Sequence, residues 1–455
     1  MNKAYIAFDL GASSGRLMLG IDKGGTIELE EVHRFPNDPV MMNGTLYWDI
    51  PRLFHEMKQG LKKVALRKDV SIQSMGIDTW GVDGAWFDEN GQMINLPIHY
   101  RDGRTTQVID EVESLLSEEA LYGITGIQKA TFNTIYQLYY DKHYHPIIKE
   151  HGKKWLFTPD LLGYLLTGKM YNEATIASTS GLIDLRTKTY SDEIFEKLKL
   201  DKNVMCELVQ PGTQVGTLTK AIQEETGLGA IPVIAVGSHD TASAVVGAEI
   251  EAEDEMYLVC GTWCLMGLEV SEPALSEQAR LSGFTNEGSV KGKVRLLKNI
   301  NGLWILQQLK KCFNERGLNI DFPDIIEAAR KASHEYAIDI TDERFMAPVN
   351  MEQEIIKACQ EKDHVCLETM GEVATAVYNG LGKLYQETVE QFEALRGETI
   401  RTIRMVGGGT KDAHLCEIVK QATHKNVIKG TTEASAMGNV LIQKNAVIKQ
   451  MQKLD

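Results

Sequence analysis

Tyr5-Ile6-Ala7-Phe8-Asp9-Leu10-Gly11-Ala12-Ser13-Ser14-Gly15-Arg16-Leu17-Met18-Leu19-Gly20-Ile21 is the stretch on which the reading of this chain turns. An apolar run, a turn of small residues and an apolar return predict an antiparallel hairpin. Asp22-Lys23-Gly24-Gly25 makes a second turn into Thr26-Ile27-Glu28-Leu29, which alternates polar and apolar residues. Leu53, Met57, Leu61 and Val64 then recur at helical spacing within 52–66, and Ser74 to Thr79 reads as a buried strand. The expected order is β-β-β-α-β. Much later, Glu255 to Cys260, a turn at Gly261-Thr262 and Trp263 to Leu268 repeat the strand, glycine turn and returning strand. The repeat predicts two similar α/β domains, 1–248 and 249–455, joined near the acidic run Glu249 to Glu255.

Composition bounds what such a chain does. At 455 residues it has room for two or three domains, and 43% hydrophobic with 24% charged residues is ordinary globular usage. A net charge of −15 repels polyanions, so nucleic acid and anionic membranes are excluded as general partners. The longest charge-free stretch, Thr226 to His239, falls short of the ~20 residues a membrane helix needs, and no secretory leader pattern precedes Tyr5. A cytoplasmic protein, monomer or homodimer, is expected. The seven cysteines (206, 260, 264, 312, 359, 366, 416) lack paired zinc-module spacing and read as buried free thiols.

Three glycine turns, Gly11 to Gly15, Gly261-Thr262 and Gly407-Gly408-Gly409, have the small residues that let backbone N–H groups approach phosphate oxygens. None fits GxxxxGK[ST], so no P-loop is present. Asp9 beside the first turn is a hard oxygen ligand for Mg²⁺, directly or through water, and Ser13, Ser14 and Arg16 add donors. Pro232 to Val236 reads as a strand ending at Gly237-Ser238-His239-Asp240-Thr241, where a carboxylate suits proton acceptance from a hydroxyl. Position alone leaves Asp240 open to a second role, as N-cap of the helix that follows. Further helices are expected at 158–168, with Thr158 as N-cap, at 301–312, at 371–395 and at 412–422.

Eight ordered motifs resemble the rhamnulokinase branch of the FGGY carbohydrate kinases. They are Phe8 to Arg16, Gly76 to Asp83, Tyr100 to Thr105, Phe132 to Leu138, Ser238 to Ala244, Leu297 to Trp304, Gly407 to Gly409 and Glu433 to Asn439. The resemblance implies two actin-like (ribonuclease H-like) α/β domains flanking a deep catalytic cleft. It implies ATP and Mg²⁺, and phosphorylation of the C1 hydroxyl of L-rhamnulose. L-fuculose, L-xylulose or another ketose are alternative substrates, and an idle actin-like nucleotide-binding module is the alternative from outside enzymes. By the resemblance Asp240 is the catalytic base. Ala12, Ser13, Ser14, Gly15, Arg16, Thr262, Gln307 and Gly408 contact the nucleotide, and Gly81, His239, Asp240, Thr241 and Asn299 the sugar. Without it, Asn299 reads as an N-cap and Gln307 as an exposed helical side chain.

Overall fold

The computed structural model describes residues 1–346 and 348–452. The opening hairpin is β1 (Asn2–Leu10) and β2 (Ser14–Lys23), followed by β3 (Thr26–Pro36), helix α1 (Ile50–Ala65) and β4 (Val70–Thr79). The expected order holds, with β3 longer than the alternation suggested. A small hairpin, Val40–Met42 and Thr45–Tyr47, is interposed before α1. Its Asn43-Gly44 tip takes positive φ at both residues, a short turn that hydrophobic patterning does not announce. Asp49 caps α1 through the Arg52 N–H, and Leu53, Met57, Leu61 and Val64 form its buried stripe.

The chain then makes a long excursion before returning as β5 (Gln214–Thr217) and β6 (Pro232–Ile234). The six strands lie in the order β5-β6-β4-β1-β2-β3. β1 pairs antiparallel with β2 and parallel with β4, and β6 continues the parallel side. Within the excursion, the helix Thr158–Thr167 stops at left-handed Gly168 as expected. Its N-cap is Phe157 with no side-chain bond rather than Thr158: Thr158 Oγ1 donates to Asp83 O instead.

The second pattern becomes β7 (Glu255–Cys260), β8 (Cys264–Val270), β9 (Val294–Ile300), β10 (Thr402–Val406) and β11 (Asn426–Lys429). These neighbour one another as β9-β8-β7-β10-β11, so an antiparallel hairpin again meets a parallel extension. Matching each strand to its counterpart gives the same order as β3-β2-β1-β4-β6. The duplication seen in the hairpins therefore extends through both sheet cores.

Compactness divides the structure into a first unit of 1–247, 269–296 and 435–455 and a second of 248–268 and 297–434. The last helix, Ala434–Met451, belongs almost wholly to the first unit because its polar side chains serve that sheet. Gln443 donates to Ile6 O at 2.9 Å and accepts from Ser74 Oγ at 2.8 Å. Gly438 on the same helix has no room for a Cβ against the Ser243 carbonyl. In the second unit the acidic run is pinned rather than merely solvated: Glu255 and Glu251 pair with Arg404, and Asp254 with Arg401. Six cysteines are buried thiols, while Cys366 is exposed, contrary to expectation, in the link that follows the helix Met351–Asp363. Among the described residues no helix is long and apolar enough to cross a membrane.

Candidate active site

In the first unit the β1–β2 register sets Asp9 opposite Arg16, and their side chains form an ion pair. The β1–β4 register sets Asp9 beside Asp78. Asp78 is fully buried; its Oδ2 accepts from Asn439 Nδ2 at 2.6 Å, and its Oδ1 has no hydrogen-bond partner among the described residues. Burial, reinforced by the Asp9 charge, raises the Asp78 carboxyl well above the usual carboxylate range. Among the described residues no three His, Cys, Asp or Glu groups lie close enough to enclose a metal. The donor set here is hard oxygen from adjacent strands with an orphaned buried atom, which fits a cation completed by phosphate oxygens and water.

The turn Gly11 to Ser14 closes with Gly11 N–H to Ser14 O at 3.0 Å. Asn37 donates to Gly11 O (2.9 Å) and Ser13 O (3.2 Å), so two of the turn's acceptors are satisfied from one residue. Ser13 is exposed and Ala12 half-buried, whereas Gly15 is buried with its Cα against the Phe35 ring, leaving no space for a side chain.

The end of β4 continues into Trp80-Gly81-Val82-Asp83. Val82 sits at φ 68°, a left-handed conformation a β-branched residue rarely takes. It is held by Thr179 Oγ1 on its N–H (3.2 Å) and by Thr134 Oγ1 on its carbonyl (2.6 Å). The kink leaves Asp83 buried, accepting from Trp48 Nε1 (2.7 Å), Trp80 Nε1 (3.2 Å) and the Tyr100 N–H (3.0 Å). Burial pushes its carboxyl up to about 6, against the pull of the Trp48, Gln137 and Trp80 donors and the Arg104 charge. A Cβ on Gly81 would lie 3.4 Å from Thr179 Oγ1 and 3.5 Å from His239 Nε2, so the glycine leaves the histidine's face open.

His239 and Asp240 are placed by a buried carboxylate the sequence did not flag. Glu173 accepts from the Ser238 N–H (3.1 Å) and from Thr175 Oγ1 (2.6 Å), and Thr175 Oγ1 in turn accepts from the His239 N–H (3.3 Å). Burial raises the Glu173 carboxyl to about 7 against the pull of those donors. Asp240 opens the helix Asp240–Gly247 with its side chain 31% exposed, and its Oδ1 lies 3.6 Å from His239 Nε2. Its carboxylate accepts from Thr241 Oγ1 (3.1 Å) and from no helix N–H among the described bonds, so the N-cap alternative is not realised.

In the second unit the turn Gly261 to Trp263 closes with Gly261 N–H to Trp263 O at 2.9 Å. Gln307, on the helix Trp304–Glu315, donates to Thr262 Oγ1 at 3.4 Å and is only half-exposed, so it is tied to that turn rather than free in solvent. Asn299 is an exposed residue inside β9 and caps nothing; the helix starts three residues later than the expected 301. In the triple glycine, Gly407 (φ 88°) and Gly409 lie against Cys260, where a Cβ would meet backbone or side chain at 2.7 and 2.5 Å. A Cβ on Gly408 would meet nothing within 4 Å. Packing thus explains the first and third glycines, and the space above the second is open. Asp412 caps the next helix through the His414 and Leu415 N–H groups.

Sequence reading missed Asp78, Glu173, Thr179 and Asn37. Asp78 carries a usable signal, a lone charge within an apolar strand; the others act across long sequence separations with no local signature.

Family models for the FGGY family of carbohydrate kinases match the chain twice, the N-terminal domain over residues 4–247 and the C-terminal domain over 256–447. The chain is 38% identical to a rhamnulokinase of Oceanobacillus iheyensis over 98% of this chain and 94% of that one. It is 39% identical to a rhamnulokinase of Bacteroides thetaiotaomicron, over 97% and 90%. Its fold matches a xylulose kinase from Lactobacillus acidophilus (TM-score 0.81, 16% identity, 98% and 90% covered). It also matches a Plasmodium falciparum glycerol kinase with ADP (TM-score 0.80, 16% identity, 100% and 92% covered).

Proposed function

Because the chain belongs to the FGGY family of carbohydrate kinases, we propose that it transfers the γ-phosphoryl group of ATP to the C1 hydroxyl of L-rhamnulose, giving L-rhamnulose 1-phosphate and ADP in L-rhamnose breakdown. The observation that carries the substrate is the near-full-length identity to two rhamnulokinases, 38% and 39%.

Asp240 accepts the C1 hydroxyl proton as the new P–O bond forms, a role for which its carboxylate is accessible and not engaged in capping. His239, Thr241 and Gly81 shape the sugar site beside it; for Asn299, exposed on β9, a sugar contact rests on the family resemblance. Backbone amides of Ala12 to Arg16 and the Thr262 turn hold phosphate oxygens, and Gly408 and Gln307 supply further nucleotide contacts. Asp9 would hold Mg²⁺, directly or through water, with Asp78 beside it on the neighbouring strand. The bound cation would neutralise charge on the phosphates during transfer. A cytoplasmic location supplies both ATP and the ketose.

The test is a coupled ADP assay of the purified chain across L-rhamnulose, L-fuculose, L-xylulose and D-xylulose. L-Rhamnulose gives the highest kcat/KM if the assignment holds. Another best ketose overturns the substrate, and no ADP release with any sugar overturns the kinase reading in favour of an idle nucleotide-binding protein.

A further inference from the structure

The segment 269–296, assigned by compactness to the first unit, brings two charged residues against His239. Arg295 is completely buried. Its Nε donates to Gly288 O at 3.0 Å, and its Nη2 lies 3.1 Å from His239 Nδ1 in hydrogen-bond geometry and 2.9 Å from Glu287 Oε2. Glu287 is also buried, with Oε2 3.0 Å from His239 Nδ1. The three groups thus meet at one ring nitrogen, and the opposite one, Nε2, faces Asp240 Oδ1 and the open side of Gly81.

Two protonation patterns compete. If Nδ1 carries the proton it donates to Glu287, and a neutral ring presents a lone pair at Nε2. If Arg295 donates to Nδ1, that nitrogen must hold a lone pair, since guanidinium has no acceptor and keeps its protons. The neutral ring then carries its proton on Nε2. Geometry separates them: the Arg295–His239 contact meets hydrogen-bond angles, whereas Glu287 Oε2 has no partner of hydrogen-bond geometry among the described residues. Burial would raise the Glu287 carboxyl; the Arg295 guanidinium 2.9 Å away opposes that rise and keeps the carboxylate charged.

We propose that Arg295, held in place by Glu287, fixes His239 as the Nε2–H tautomer and thereby aims an N–H donor at a sugar oxygen next to the hydroxyl that Asp240 deprotonates. Arg295 and Glu287 are positioning residues, acting through His239. The placement of the sugar rests on the proposed kinase function; the tautomer does not. A third group that sets an imidazole's tautomer is a known way of making such a ring effective.

Ring-¹⁵N NMR of the histidine-labelled, ligand-free full chain reads the tautomer directly, with the His239 signals assigned by their loss in His239→Asn. An unprotonated Nδ1 with a protonated Nε2 is expected; a protonated Nδ1 overturns the proposal. This measurement needs no variant of Arg295 to fold. In kinetics, Arg295→Met lowers kcat/KM for the ketose at least ~10-fold with KM for ATP unchanged, and Arg295→Lys, which keeps a donor, restores part of the loss. Equal losses in the Met and Lys variants, with the His239 tautomer unmoved, overturn it. An Nε2–H ring in a protein that prefers another ketose leaves the clamp standing and removes only the substrate assignment.

Discussion

The two glycine hairpins share a backbone plan and differ in almost every side chain. At the tips, Leu10 pairs with Gly15 and Cys260 with Cys264; one step back, Asp9 pairs with Arg16 and Val259 with Leu265. Each turn closes with a glycine N–H bonded to a carbonyl within the turn. The first hairpin therefore carries charge where the second is apolar. Repetition of the fold places amide-rich turns in both units, while the side chains differ; in the proposed function the charged first unit takes the cation and the proton. The second unit keeps a hydroxyl, Thr262, and glycines, which is the chemistry the proposed nucleotide contacts need.

Several substitutions press on that division of labour. Asp240→Asn, in the first unit, is expected to lower kcat by ~10²–10⁴-fold while ATP binding and folding persist, measured by ADP release and nucleotide titration. Near-normal turnover would remove the base from that unit. Asp9→Asn, which makes the first hairpin less unlike the second, should lower kcat/KM and raise the Mg²⁺ concentration needed for half-maximal rate. An unchanged metal dependence would mean the charged pair is structural only.

Glu173 makes the first unit's stability pH-dependent. Its folded carboxyl stands near 7, above the ordinary 4.5, so its contribution is complete below pH ~4.5 and is lost as pH rises through 7. The span corresponds to something on the order of 3 kcal/mol. Thermal melts from pH 5 to 8 should show the wild type losing more stability than Glu173→Gln over that range, and parallel curves would refute it. Gly15→Ala must displace Phe35 and should cost about 1–3 kcal/mol in a urea melt. Gly408→Ala has space for its methyl, so its melting temperature should stay put while KM for ATP rises. A melting-temperature drop without a KM change would reverse that contrast between packing and ligand glycines.

What was legible follows from how local each signal is. The hairpins, α1, the helix at 158–168 and the strand–glycine–helix unit at 402–422 are written in nearest-neighbour periodicity and turn residues. The hairpin at Val40 to Tyr47 was not, because two three-residue strands are too short to show a period. Among site residues, Asp9 lies near the end of an apolar strand and Asp240 follows an apolar run, and both draw notice there. Glu173 lies 65 positions from the Ser238 amide it holds, and nothing near it in sequence distinguishes it from a surface glutamate.

The sequence by itself determined the duplicated α/β plan, the three glycine turns and the two carboxylates beside apolar runs, because strand period, turn chemistry and apolar runs are properties of short segments. Only the tertiary structure decided which glycines are filled by packing and which is left open. It alone returned 269–296 and 435–455 to the first unit. It alone set Asp78 beside Asp9, Glu173 under the Ser238 amide and Arg295 on His239. Those placements depend on desolvation and on contacts between residues far apart in the chain, and both exist only once the chain has folded.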